Sequence, residues 1–187
     1  MNQFEVTFAG FGGQGIMTAG QLLAYAGIEE GKQVAWIPSY GPEMRGGTAY
    51  CTVVISDDLI GSPIINNPQC ICVFNRPSFD KFESKVKKNG FLLVNSSLIE
   101  AKSQRTDITQ LLMPCHEMAL KHGNPKASNL VMLGAFAAIS KIVSPKTFEK
   151  VITKKLGHKK NLLEINLTVF KDALKYANAN IGTKVKP

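Results

Sequence analysis

The sequence predicts an α/β protein in three layers, helices on both faces of a mainly parallel sheet, with further helices at the C-terminal end. Three observations predict it. Short strand-like runs alternate with helix-like periods through the first 120 residues. The first of those strands turns through a glycine cluster directly into a helix. The last third reads as helix alone, so covering layers follow the sheet.

The elements follow in order. Gln3 to Ala9 alternates aromatic and β-branched residues with polar ones, the pattern of a half-buried strand. After Gly15, apolar residues at Ile16, Leu22, Leu23, Tyr25 and Ile28 keep mostly to a helical period, and Gly31 stands where a glycine terminates a helix. Val34 to Ile37 is a second strand, followed by a loop from Pro38 to Gly47. Thr48 to Ser56 alternates strongly and forms a third strand. Asp57 to Pro68 holds GSP and NNP, which mark turns. Cys70 to Phe74 and Phe91 to Val94 are continuous apolar runs, as strands buried on both faces require. A helix from Arg76 to Lys88 separates them. Ile108 to Met113 is a last strand, and His116 to Lys121 a helical turn. Helices over Ser128 to Ile142, Pro145 to Leu156 and Asn161 to Asn178 complete the chain.

At 187 residues the length fits one domain spanning 1–187, large enough to build its own core. With 44% hydrophobic and 19% charged residues, the composition excludes a disordered chain. Four scattered cysteines exclude a disulfide scaffold. No apolar run approaches the ~20 residues needed to span a bilayer, and no basic leader precedes an apolar stretch at the N-terminus, so no membrane association and a cytoplasmic location are expected. The net charge of +8 comes entirely from residues 141–187, where eleven lysines face Glu149, Glu164 and Asp172. No arginine occurs there, and aromatic residues do not interleave with the lysines. Nucleic acid, read mainly by arginine forks and stacked rings, is therefore not the expected partner. A solvated helix face or an acidic protein suits the run better.

The motif richest in chemistry is Gly10-Phe11-Gly12-Gly13-Gln14-Gly15, which fits G-x-G-x-x-G between a strand and a helix in a Rossmann-like setting. Glycines permit the tight turn and leave the backbone amides of the helix start open to a phosphate or carboxylate. A complete dinucleotide site also needs an acidic residue at the end of the second strand, but Pro38, Ser39 and Tyr40 stand there. The loop therefore has four readings: a dinucleotide, weakened by that missing acid; a contact for another anion or phosphate; a contact for a partner chain; or glycines that permit close strand–helix packing. Tyr40, Glu43 and Arg45 occupy the next glycine-rich loop, where Arg45 either clamps an anion or pairs with Glu43. Asn95 and Ser96 end a buried strand at the same expected edge and are candidates to line a cleft. Cys70 and Cys72 share one strand face and read as core. Cys115, His116 and His122 form no closed zinc spacing, although a Cys–His nucleophile stays open.

Taken together, GFGGQGIMTAGQLLAYAG, SYGPEMRGGTAYCTVVIS and GNPKASNLVMLGAF resemble the gamma subunit of 2-oxoacid:ferredoxin oxidoreductases, most closely the 2-oxoglutarate type. The resemblance covers about residues 4–180. It implies a chain without catalytic residues of its own, working beside alpha, beta and delta subunits in a complex that converts a 2-oxoacid and coenzyme A to an acyl-CoA (succinyl-CoA from 2-oxoglutarate). Electrons then pass to ferredoxin or flavodoxin. Thiamine diphosphate, Mg2+ and the iron–sulfur clusters belong, on that resemblance, to the partner subunits. The chain itself contains no Gly-Asp-Gly and no set of cysteines spaced for a cluster. Pyruvate, branched-chain and aryl 2-oxoacid versions share the pattern, and a free-standing nucleotide-binding enzyme or a basic interaction module are the readings from other classes.

Overall fold

The computed structural model describes residues 3–39, 48–158 and 160–181. Six strands form one sheet: β1 (Gln3–Phe11), β2 (Gln33–Ser39), β3 (Thr48–Ser56), β4 (Cys70–Val73), β5 (Phe91–Asn95) and β6 (Thr109–Met113). The helices are α1 (Ile16–Glu29), α2 (Arg76–Phe82), α3 (Cys115–Lys121), α4 (Ser128–Ser140), α5 (Pro145–Leu156) and α6 (Lys160–Asn180). Every expected element is present, with shifted ends. The first strand extends through Gly10 and Phe11, which pair with Ala49 and Thr48. The helix expected over Arg76 to Lys88 stops at Phe82 and tightens into a 3-10 turn over Glu83–Lys85.

The strand order is β2-β3-β1-β4-β5-β6. The ladders from β1 through β6 are parallel, whereas β3 runs antiparallel to both β1 and β2. A dinucleotide-binding sheet places its second strand directly beside its first. Here β3 intervenes, so the end of β2 lies two strand spacings, about 10 Å, from the end of β1. That displacement supplies a physical reason for the absent acidic residue. A carboxylate at the end of β2 would not meet a ribose held over the glycine loop.

Alternation divides each strand between two cores. On one face, Val6, Phe8, Cys51, Val53, Ile55, Cys70, Cys72 and Leu93 pack under α1, α4 and their outer helices. On the other, Ile71, Val73, Leu92 and Val94 pack under Phe79, Phe82 and Val86. Helix α4 is buried on nearly all sides, from Asn129 through Ala138, because it lies between the sheet and α6. Phe136 sits edge-on against Phe4 and Phe8, with ring centroids 5.6 and 6.0 Å away. Gly134 brings α6 close: a Cβ there would stand 2.5 Å from the Phe170 carbonyl oxygen.

The lysine-rich helices are not simply solvated. Lys150 pairs with Glu29, Lys171 with Glu149 at 3.0 Å, and the Lys155 ammonium stands 3.4 Å from the Tyr25 ring centroid. These contacts tie α5 to α1 and α6. Ser144 accepts from the Thr147 amide at 3.2 Å and caps α5, with Pro145 opening the helix.

Candidate functional site

Parallel strands β1, β4, β5 and β6 deliver their carboxyl ends to one edge, and the glycine loop turns there into α1. Gly15 adopts the left-handed conformation at φ 76°, and a Cβ on it would stand 2.7 Å from the Asn129 side-chain amide. Gly10 faces a different restriction, since a Cβ would meet Gln14 Oε1 at 2.6 Å and Phe74 Cβ at 2.8 Å. Both positions are therefore glycine for reasons internal to the chain. Gly12 and Gly13 are exposed on the outside of the turn.

Gln14 is the centre of the loop. Its Oε1 accepts from the Phe11 amide at 2.7 Å and from Asn75 Nδ2 at 3.3 Å, and its Nε2 donates to the Phe74 carbonyl at 3.3 Å. Asn95, only 2% exposed, donates to the same carbonyl at 3.3 Å and accepts from the Ser97 amide. Asn75 in turn caps α2 by accepting from the Ser78 amide at 2.9 Å. Asn129 donates to the Gly15 carbonyl at 3.3 Å. A band of neutral amides thus joins the glycine loop, β4, β5 and α4.

Beyond that band, Ser97 Oγ donates to Glu117 and accepts from the His116 amide. The hydrogen bond from Ser97 holds the Glu117 carboxyl below its ordinary range.

The structure thus brings Gly10, Gln14, Gly15 and Asn95 together at one edge, with Asn95 inside the network rather than in an open cleft. Tyr40, Glu43 and Arg45 lie outside the described residues. The sequence reading missed Asn75 and Asn129. Asn75 carries a legible signal, an Asn two residues before a proline at a helix start. Asn129 carries none, because its partner lies 114 residues away.

The thiols are core groups. All four cysteines are buried. Burial pushes Cys51 up to about 12 and raises Cys115 further, with Glu117 adding to it. Cys72 is raised first by burial and then by Cys70, whose sulfur lies 3.9 Å away. Cys115 is consequently no thiolate nucleophile at neutral pH. His122 bonds Asp172 at 2.9 Å, an α3–α6 tie, while His116 is exposed. Among the described residues no three His, Cys, Asp or Glu side chains form a metal-holding group, and no helix is long and apolar enough to cross a membrane.

These features define an open-sheet α/β chain whose ligand edge is built to position and pack through neutral amides. Residues 5–176 match the description of pyruvate ferredoxin/flavodoxin oxidoreductases, and the chain belongs to that family. It is 36% identical to the 2-oxoglutarate synthase subunit KorC of Methanocaldococcus jannaschii, over 85% of this chain and 88% of that one. It is 34% identical to the ketoisovalerate oxidoreductase subunit VorA of Methanothermobacter marburgensis, over 96% of this chain but 37% of that longer one. Thus the chain spans little more than a third of the VorA relative. Among solved structures, the gamma subunit of the keto/oxoacid ferredoxin oxidoreductase from Geobacter sulfurreducens superposes with a TM-score of 0.82 at 30% identity, covering 94% of this chain and 99% of that one. The gamma-subunit resemblance and the α/β architecture read from the sequence agree with these relatives.

Proposed function

We propose that this chain, as a single domain over 1–187, is the gamma subunit of a 2-oxoacid:ferredoxin oxidoreductase acting on 2-oxoglutarate. The complex oxidatively decarboxylates the 2-oxoacid, joins the acyl group to coenzyme A as succinyl-CoA, and passes the electrons to ferredoxin or flavodoxin. The observation that carries this reading is the near-complete, two-way match to a separate gamma subunit and to a KorC chain of similar length. Companion alpha, beta and delta subunits bring thiamine diphosphate, Mg2+ and the iron–sulfur clusters. This chain contributes structure at the chamber wall. Gly12, Gly13 and the start of α1 offer backbone amides to an anion, and the amide band through Gln14 and Asn95 holds that loop rigid. A cytoplasmic setting accords with the buried thiols and the acceptor proteins.

The test is reconstitution. The chain co-expressed with its companion subunits should give coenzyme A-dependent dye reduction with 2-oxoglutarate, and none when the chain is left out. Preference for pyruvate or a branched-chain 2-oxoacid would move the substrate assignment while keeping the subunit role. Activity of the isolated chain alone would defeat both.

A further inference from the structure

The two faces of the sheet are finished differently. Over β4 and β5 the second face is covered by α2 and the turn that follows it. Over β1 and β3 helix α2 reaches only one corner, where Ala9 and Tyr50 join the cluster of Phe79 and Phe82, and the strap of residues 57–68 lines the space over Thr7, Thr52 and Ile37. The floor there is polar where the opposite face is apolar. Thr7 and Thr52 are buried with their hydroxyls 2.9 Å apart, beside Ser39 and Tyr50. Alternation on β3 makes the contrast plain, since Cys51, Val53 and Ile55 point to the helical core while Tyr50 and Thr52 point here.

Between floor and strap lies a cleft of about 360 Å³. One rim is aliphatic: Ile37 on the edge strand β2 is 37% exposed, and Ile64 on the strap is 78% exposed. Leu59, on the same strap, is 87% exposed. The other rim is cationic and ordered by aromatic rings. Lys81 stands 5.3 Å from the ring centroids of both Tyr50 and Phe82, and Lys85 stands 5.3 Å from Phe82. Among the described residues neither lysine takes part in an ion pair. The neighbouring acids are engaged elsewhere, Asp80 with Arg76 and Glu83 with Ser103.

We propose that the rims of this cleft are the docking surface for a companion subunit of the oxidoreductase, which seats an apolar side chain between Ile37 and Ile64 and sets carboxylates against Lys81 and Lys85. The proposal rests on the gamma-subunit reading. A small ligand filling the cleft would leave Ile64 and Leu59 in water, whereas a second polypeptide would cover them. Two unneutralised lysines beside that apolar rim call for an acidic partner surface. The VorA relative carries further polypeptide outside the matching stretch, which covers 37% of its length.

The experiment co-expresses the full chain with its companion subunits and weighs how much chain is recovered in the complex. Ile64→Asp should lower that recovery about tenfold or more, and Lys81→Glu with Lys85→Glu should lower it in a salt-dependent way. Lys126→Glu, on a distant exposed turn, should assemble normally. The melting temperature of each isolated variant should match the parent; if Ile64→Asp fails to fold, Ile64→Ser carries the same comparison. Normal assembly of both rim variants overturns the docking surface while leaving the gamma-subunit role intact. Loss of self-association alone, seen by sedimentation, also overturns it, in favour of a second copy of this chain. A parent chain that assembles with no companion and supports no 2-oxoacid oxidation removes both proposals together.

Discussion

Gln14 and Asn95 donate their side-chain amides to one acceptor, the Phe74 carbonyl, each at 3.3 Å. That shared oxygen connects the glycine loop to the ends of β4 and β5. It makes the loop part of the rigid sheet edge.

Replacing Gln14 with alanine leaves the Phe11 amide without its side-chain acceptor and removes one donor from Phe74. A loss of about 1–3 kcal/mol is expected in urea unfolding, the usual effect of orphaning partly buried polar groups. Gln14→Glu should lose less, since a carboxylate still accepts from the Phe11 amide and Asn75 but cannot donate to Phe74. Equal stability of Gln14→Ala and the parent would show that the band does not hold the loop.

The four thiols should stay silent toward a disulfide-exchange reagent in the native protein at pH 8 and all react in denaturant. Burial raises Cys51, Cys72 and Cys115, so the thiolate fraction at that pH is small as well as shielded. Rapid titration of even one thiol without denaturant would contradict that core arrangement.

Glu30 joins α1 to the start of α5. Burial alone would raise its carboxyl, but hydrogen bonds from Thr147 at 2.7 Å and the Ser144 amide at 2.8 Å outweigh this and hold it low. The folded state therefore favours the carboxylate. Its contribution is complete above the ordinary value of 4.5 and is lost as pH falls through the lowered folded value. Glu30→Gln should cost on the order of 0.5 kcal/mol at pH 7, given the exposure of the site. The gap between variant and parent should close in acid, as followed by thermal melts from pH 7 to 3. A gap that widens in acid would reverse the assignment.

From its place in the glycine-rich stretch of the sequence, we propose that Arg45 clamps an anionic group of the 2-oxoacid or of coenzyme A. In the assembled enzyme Arg45→Ala should raise KM for the 2-oxoacid or for coenzyme A, measured by varying each in turn. Unchanged values for both would exclude a clamp.

Much of this was legible in local pattern. The strand–glycine–helix turn at Gly10 to Gly15, the proline-opened helices at Arg76 and Pro145, and the doubly buried Cys70 to Val73 run each depend on residues within one or two turns of chain. Periodicity and capping are short-range effects, so neighbouring side chains suffice to specify them. The placement of β3 between β1 and β2 is another matter. It arises from pairing across tens of residues, and the same alternating strand could equally have joined an outer edge. The meeting of Gln14 with Asn75 and Asn95, and of Gly15 with Asn129, likewise depends on where distant elements pack. So does the hydroxyl-floored cleft beneath the strap of residues 57–68, since a strand's alternation marks which residues share a face but not what comes to lie upon it.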